Sequence, residues 1–363
     1  MAHCVLIPAH NEEVVIQETL NSLQRAGFDP DDIYIVDDRS SDDTYQICSN
    51  NKVNIVTTPI NFGKAGAQQY AIKYFELCDK YKHVIMMDAD TKVYPDFRDV
   101  LYSNMVLYPG VDLFVGQVTS SKADNIYSAY RAIEYTFSHE VIKKGQDRFG
   151  VIYVAPGCVS IYSTSILRHL KFDSTILAED MDLTIQVHKM KGRIKYLHDA
   201  KVITQDPKTI RDYHNQLMRW YRGFWQVVLK HGRKHDRLSL VNFYILYLIL
   251  DSLFMNRALL FMLALVGIYH TPIIAALMLD MCIFALVGLY ASYSTRRIDL
   301  IHKIPVVYFL SLFNTYAYIR SFFEVIVLRM KNFGWNKVKR YGEKNEEVCT
   351  RATSPPNSDS STR

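Results

Sequence analysis

Two rhythms of apolar and polar positions alternate along the first two thirds of the chain. "CVLIP" (4–8), "IYIVDD" (33–38), "VNIVTT" (53–58), "HVIMMDAD" (83–90) and "VDLFVGQV" (111–118) are apolar runs of strand length. Between them, residues 12–27, 41–49 and 63–78 carry apolar side chains at helical spacing. The first of these ends on Gly27, and the second opens on a serine and acids, as a capped helix does. Further helices are predicted at 124–146, 178–192 and 209–231, a strand–glycine turn–strand at 150–163 and a strand at 193–204. Strands alternating with helices predict the α/β class, a mostly parallel sheet with helices on both faces. In such sheets ligands bind at the carboxyl ends of strands. "PAHNEE", "DDRSSDD" and "DADT" follow three of the apolar runs immediately, and that coincidence outweighs any single motif.

After residue 240 the alternation gives way to three apolar segments, roughly 240–268, 271–294 and 304–328. Lys and Arg cluster beside them, which points to a membrane surface. The expected organisation is a catalytic domain over 1–208 and an interfacial helix over 209–237. Transmembrane or interfacial helices follow over 238–330, then a basic and finally disordered cytosolic tail over 331–363. The basic runs at 294–303 and 329–344 belong inside by the positive-inside rule, so an even number of crossings is expected. Arg320 and Glu324 in the third segment, and Asp251 and Arg257 in the first, are costly in lipid, so one segment is expected to lie in the interface or re-enter. The chain enters a strand pattern almost at once, which leaves no room for a signal peptide, and its six cysteines are scattered. Both features fit a front domain in the reducing cytosol. The net charge of +5 is modest and forms no nucleic-acid footprint, so no nucleic-acid partner is expected.

The acids carry the candidate chemistry. Asp88 and Asp90 stand two apart, and in an extended segment they would face one side, suited to a hard divalent cation such as Mg²⁺ or Mn²⁺. A solvated turn is the plainer reading of the same residues. Asp37 and Asp38 end the second strand, where a nucleotide ribose or base often sits; a helix-capping loop explains them equally well. Lys64 follows Gly63 at a helix start and can reach a phosphate, but the stretch lacks the Ser or Thr of a P-loop. Glu179, Asp180 and Asp182 open a helix, which suits either its dipole or a general base. In "QLMRW", Gln216, Arg219 and Trp220 share a helical face, as an interfacial anchor or as a site.

Taken in order, "PAHNEE", "VDDRSSDDT", "NFGKAGA", "MMDADT", "APGCVSIY", "AEDMD" and "QLMRW" resemble glycosyltransferase family 2. Gln-x-x-Arg-Trp resembles the processive branch of hyaluronan, chitin, cellulose and poly-N-acetylglucosamine synthases. The resemblance implies a GT-A, Rossmann-like catalytic fold followed by interfacial and transmembrane helices. It implies a uridine pocket at Pro8, Ala9, His10, Glu12 and Asp38, with Asp37 beside it, and nucleotide contacts at Lys64 and Asp88. Asp90 with Asp88 would hold Mg²⁺ or Mn²⁺, and Gly157 and Cys158 would line the acceptor site. Asp180, next to Glu179, would be the base, while Gln216, Arg219 and Trp220 would hold the diphosphate and the acceptor sugar. Trp335 and Arg340 resemble the family's tryptophan and basic residues after the membrane part. The implied activity is inverting, processive β-transfer of a sugar, N-acetylglucosamine, from a UDP-sugar to a growing saccharide at a membrane, with the catalytic domain cytoplasmic, as in a bacterial inner membrane or its equivalent. The alternative is a single transfer to a polyprenyl phosphate, giving a lipid-linked product. A silent scaffold is disfavoured, because every motif keeps its carboxylates. Export of a long polymer past so short a membrane portion would need membrane lipids and a second copy or partner.

Overall fold

A computed structural model describes residues 3–120, 124–232, 240–254, 270–330, 333 and 339–342. Its eight strands form one sheet in the order β3-β2-β1-β4-β7-β6-β8-β5. β1 (His3–Ala9), β2 (Ile33–Asp37), β3 (Asn54–Thr57) and β4 (His83–Met86) run parallel. Their carboxyl ends therefore share one edge of the sheet, and the polar runs that follow them meet there. β6 (Leu113–Ser120) pairs parallel with β8 (Ile194–Thr204), while β7 (Ser160–Ser163) runs against both β4 and β6. A two-residue β5 (Lys92–Val93) closes the far edge against β8.

The apolar runs are continuous because both faces of the sheet are covered. Alternate residues of β1 enter opposite cores: Val5, Ile7 and Ala9 join one, Cys4 and Leu6 the other. The first core is roofed by α1 (Ile16–Arg25) and α5 (Phe97–Leu107). The second is floored by α3 (Gly63–Tyr74) and α9 (Glu179–Lys189). The remaining short helices of this part are α2 (Thr44–Asn50), α4 (Leu77–Lys80), α7 (Lys144–Phe149) and α8 (Thr164–Leu167).

Three expectations are corrected. Residues 151–155 form no strand; Val151, Ile152 and Ala155 are buried against helices rather than paired in the sheet. The helix predicted over 63–78 breaks into α3 and α4 at Glu76, which takes a left-handed φ of 54°. The helix predicted over 124–146 is α6 (Ile126–Phe137), a π-helical segment Ser138–Lys143 and α7.

The quoted motif helix is α10 (Ile210–Gly232). Behind it lie α11 (Leu240–Phe254), α12 (His270–Thr295) and α13 (Ile304–Phe322), the last continuing into a π turn Phe323–Val327. A third apolar cluster joins α6, α10, α12 and α13 through Ala129, Leu217, Ala291 and Val307. Among the described residues one stretch, Ile274–Thr295, is long and apolar enough to cross a membrane: 22 residues, whose most apolar 18-residue window has a mean hydropathy of 2.2 and is 17% buried. The third predicted segment does not match it. α13 buries Tyr308, Ser311, Asn314 and Ser321 along one face against its neighbours, and Arg320 and Glu324 lie at its end. Part of the first segment, 255–268, lies outside the described residues.

Candidate active site

One cavity of about 1460 Å³ opens where the strand ends, the start of α9 and the inner face of α10 meet. Pro8, Ala9, His10, Glu12, Asp38, Lys64, Asp88, Asp90, Gly157, Cys158, Glu179, Asp180, Gln216, Arg219 and Trp220 all line it. These residues lie up to two hundred positions apart, and the fold brings them into a single space. Asp37 is the exception among the residues singled out in the sequence. Its carboxylate accepts from the Ser40 backbone N–H at 3.1 Å and the Thr57 hydroxyl at 3.3 Å, so it shapes the loop rather than the cavity wall. Asp38 is buried and accepts from the Thr58 hydroxyl and the Phe62 N–H, both at 2.8 Å, while its backbone oxygen meets His10 Nδ1 at 2.8 Å. That lattice sets the wall formed by residues 8–12 against the loop before Lys64.

Asp88 and Asp90 are not on an extended strand as expected. β4 ends at Met86, and the two acids sit on the turn that follows it. Each already faces a cation. Lys64 Nζ stands 2.6 Å from Asp88 and 2.6 Å from Glu179. Burial opposes the Lys64 charge, but Asp88, Glu179 and Asp180 together hold it protonated. Burial also opposes the Asp88 charge, and Lys64 outweighs it, keeping that carboxyl below its ordinary range. Arg340 pairs with Asp90 and, at 2.8 Å, with Glu12. Burial nevertheless pushes Asp90 up to about 6, and Asp88 and Glu12 add to the effect. Tyr341 ties the same segment down, its hydroxyl donating to Asp212 at 2.6 Å.

Asp180 sits in the first turn of α9. Its two carboxylate oxygens accept from the backbone N–H groups of Gly157 at 3.1 Å and Met181 at 2.8 Å, which sets their direction. Burial and the neighbouring Glu179 charge raise its pKa above the ordinary carboxyl value, against the pull of Lys64. A Cβ at Gly157 would lie 2.6 Å from Lys64 Nζ, so a larger residue there would push that ammonium away from its two carboxylates. On α10, Gln216 accepts from Arg131, and the Arg131 guanidinium lies 4.4 Å from the centre of the Trp220 ring. Arg219 lines the same cavity, and its charge adds to that of Lys64 in holding the Asp88 carboxyl low.

Several residues at the cavity or just behind its wall carry no signal in the sequence. Arg131 and Glu134 belong to an unremarkable amphipathic helix. Lys143 lies in the π-helical segment, donates to the Val154 carbonyl and is buried enough that its pKa falls to about 8. Irregular helical turns of this kind recur at functional sites.

Residues 4–171 match the sequence profile described as Glycosyl transferase family 2. Poly-beta-1,6-N-acetyl-D-glucosamine synthase of Staphylococcus epidermidis is 26% identical over 246 residues, which cover 66% of this chain and 59% of the synthase. The synthase of the same description from Staphylococcus aureus strain COL is 27% identical over 230 residues, 62% of this chain and 55% of that protein. The chain thus spans less than two thirds of the length of these curated relatives. Among solved structures, the mannosyltransferase PcManGT from Pyrobaculum calidifontis, in complex with GDP-Man and Mn²⁺, superposes with a TM-score of 0.57 at 19% identity. It covers 84% of this chain and 86% of its own, and the likeness establishes the GT-A fold.

Proposed function

We propose that the protein is an inverting, processive β-glycosyltransferase that moves N-acetylglucosamine from its UDP donor to a saccharide at a membrane surface. The observation that carries this reading is one cavity lined together by the oriented Asp180 carboxylate, by Arg219 and Trp220 of α10 and by the acids that follow β4. The choice of sugar rests on the two staphylococcal synthases, whose names give N-acetylglucosamine.

Asp180 takes the proton from the acceptor hydroxyl, and its two backbone hydrogen bonds keep the carboxylate aimed while it does so. The hydroxyl oxygen forms the new bond to the anomeric carbon as the bond to the diphosphate breaks on the opposite face. One displacement inverts the centre, so an α-linked donor gives a β-linked product without a covalent enzyme intermediate. Arg219 offers a guanidinium to the charge that gathers on the departing diphosphate. Trp220 presents an apolar ring to the acceptor sugar. Pro8, Ala9, His10, Glu12 and Asp38 form the wall for the nucleoside, and Lys64 supplies a cation beside Asp88. Gly157 and Cys158 leave room for the acceptor.

The donor set fits a divalent cation. Among the described residues no cluster of three or more His, Cys, Asp or Glu could hold one alone. Mg²⁺, however, is commonly held by one or two carboxylates together with water and substrate phosphates. Asp90 and Asp88 supply two such carboxylates, each paired here with a basic side chain, Arg340 and Lys64, beside which a cation would have to fit. A bound Mg²⁺ or Mn²⁺ would neutralise phosphate charge.

Two observations support a membrane setting with the tail on the catalytic side. Ile274–Thr295 has the length and composition of a span. Arg340 and Tyr341, beyond all the apolar segments, contact Glu12, Asp90 and Asp212, which supports an even number of crossings.

Purified protein incubated with a panel of radiolabelled UDP-sugars tests the reading. UDP-N-acetylglucosamine should be consumed with Mg²⁺ or Mn²⁺ and spared in excess EDTA, with label in an oligomer or polymer. Label in a single sugar on an extractable lipid would favour transfer to a carrier. Turnover of no UDP-sugar would overturn the proposal.

A further inference from the structure

We infer that Arg131, a residue outside every motif in the sequence, is the positioning residue that sets two of the three Gln-x-x-Arg-Trp side chains for transfer. The inference rests on the function proposed above. Arg131 lies on α6 and is fully buried at 0% exposure, the largest side chain so enclosed. A guanidinium out of contact with water must have its donors and its charge satisfied by protein. Here the satisfying groups belong to the active site. Nε donates to Gln216 Oε1 at 3.1 Å and Nη2 to the same oxygen at 2.8 Å. Nη1 pairs with Glu134, which lines the cavity. The plane of the group lies 4.4 Å from the centre of the Trp220 ring and 5.0 Å from that of Tyr213.

Three consequences follow from this geometry. With Gln216 Oε1 committed to Arg131, the amide rotor has one orientation, and its Nε2 donor is the end left for a ligand in the cavity. The Trp220 ring, half-buried on the cavity wall, is held from behind by a cation on its face, an attraction that strengthens when the pair is desolvated. Arg219, between these two on the same helix, is carried on a surface whose neighbours on both sides are set. Arg131 itself does not line the cavity, so it acts through Gln216 and Trp220 rather than on the sugar. A planar fork is needed for this: a lysine could keep the charge beside Glu134 but could not donate twice to one oxygen and stack on an indole.

The test uses Arg131→Lys in the full-length protein, with donor affinity measured by UDP titration. Donor affinity should stay within about twofold while the transfer rate falls at least about tenfold, and hydrolysis should rise relative to transfer, because acceptor placement and not donor binding is lost. A cycle with Gln216→Ala separates positioning from general damage. If Arg131 works through Gln216, the double variant should be no slower than the slower single variant. Losses that multiply, or a transfer rate unchanged in Arg131→Lys while the wild type is active, would overturn the inference. A second readout does not depend on catalysis. The chain has three tryptophans. With Trp225 and Trp335 replaced by Phe, acrylamide quenching reports on Trp220 alone. Arg131→Lys should raise that quenching, and equal quenching in both proteins would overturn the inference even if no UDP-sugar proved to be a donor.

Discussion

At the scale of single residues, the account turns on a carboxylate that is oriented but uncomfortable. Asp180 is aimed by two backbone N–H groups, yet burial and Glu179 raise its pKa. The sign of two effects follows. A base works as its anion, so the rate should fall as pH drops through the raised pKa, above the ordinary aspartate value of about 3.9. A folded-state pKa above the unfolded one means that ionisation costs stability, and the cost appears as pH rises through that range. Asp180→Asn should therefore melt higher than wild type at neutral pH, with the difference vanishing below the unfolded pKa. Thermal unfolding at a series of pH values checks this, and an Asp180→Asn variant less stable at pH 7 would contradict the assigned burial. Much of the site was legible at this scale, because carboxylates at strand ends and a Gln-x-x-Arg-Trp helix are local patterns. Arg131 and the partners of Arg340 explain what was not. Gln216 lies 85 positions from Arg131, and Asp90 and Glu12 lie 250 and 328 positions from Arg340, so nothing in the flanking residues announces either contact.

At the scale of elements, the site depends on how closely α10 approaches the start of α9. Gly223 makes that approach possible. A Cβ there would lie 2.6 Å from both the backbone nitrogen and the Cβ of Ala178, two residues before Asp180. Gln226 reinforces the contact by accepting from the Leu177 N–H at 2.9 Å. Gly223→Ala should destabilise the protein by about 1–3 kcal/mol through overpacking and lower the transfer rate. Gly145→Ala, inside α7 where a Cβ would meet nothing within 4 Å, is the control: it should leave transfer unchanged and not destabilise, since alanine favours a helix by up to about 1 kcal/mol over glycine. Chemical denaturation and transfer assays of the pair decide the matter; equal stability would mean that the helices are not held in register by this contact. Element types were mostly readable because β1, β2 and β4 are apolar on both faces and α1 is amphipathic. The strand predicted near residue 152 failed because an apolar run of that length packs as well under helices as in a sheet. α5 was missed because it follows a turn through Pro95 with little periodic signal.

At the scale of the whole molecule, the chain returns to its beginning. The segment 339–342 lies beyond every apolar helix, and through Arg340 and Tyr341 it rejoins Glu12, Asp90 and Asp212. A cysteine placed at Asn345, with the native cysteines replaced, should therefore resist an impermeant thiol reagent in intact cells and react once they are opened. Labelling in intact cells would mean that the tail and the catalytic part are separated by the membrane. The proposed reaction itself is tested most directly by the stereochemistry of the product and its dependence on one side chain. Wild-type protein and Asp180→Asn are incubated with α-linked UDP-N-acetylglucosamine and the same acceptor, and the new linkage is read by proton NMR. The account predicts β-linked product from wild type and, with UDP binding retained, a transfer rate lower by at least about a hundredfold from Asp180→Asn. An α-linked product, or transfer by Asp180→Asn at the wild-type rate, would contradict it.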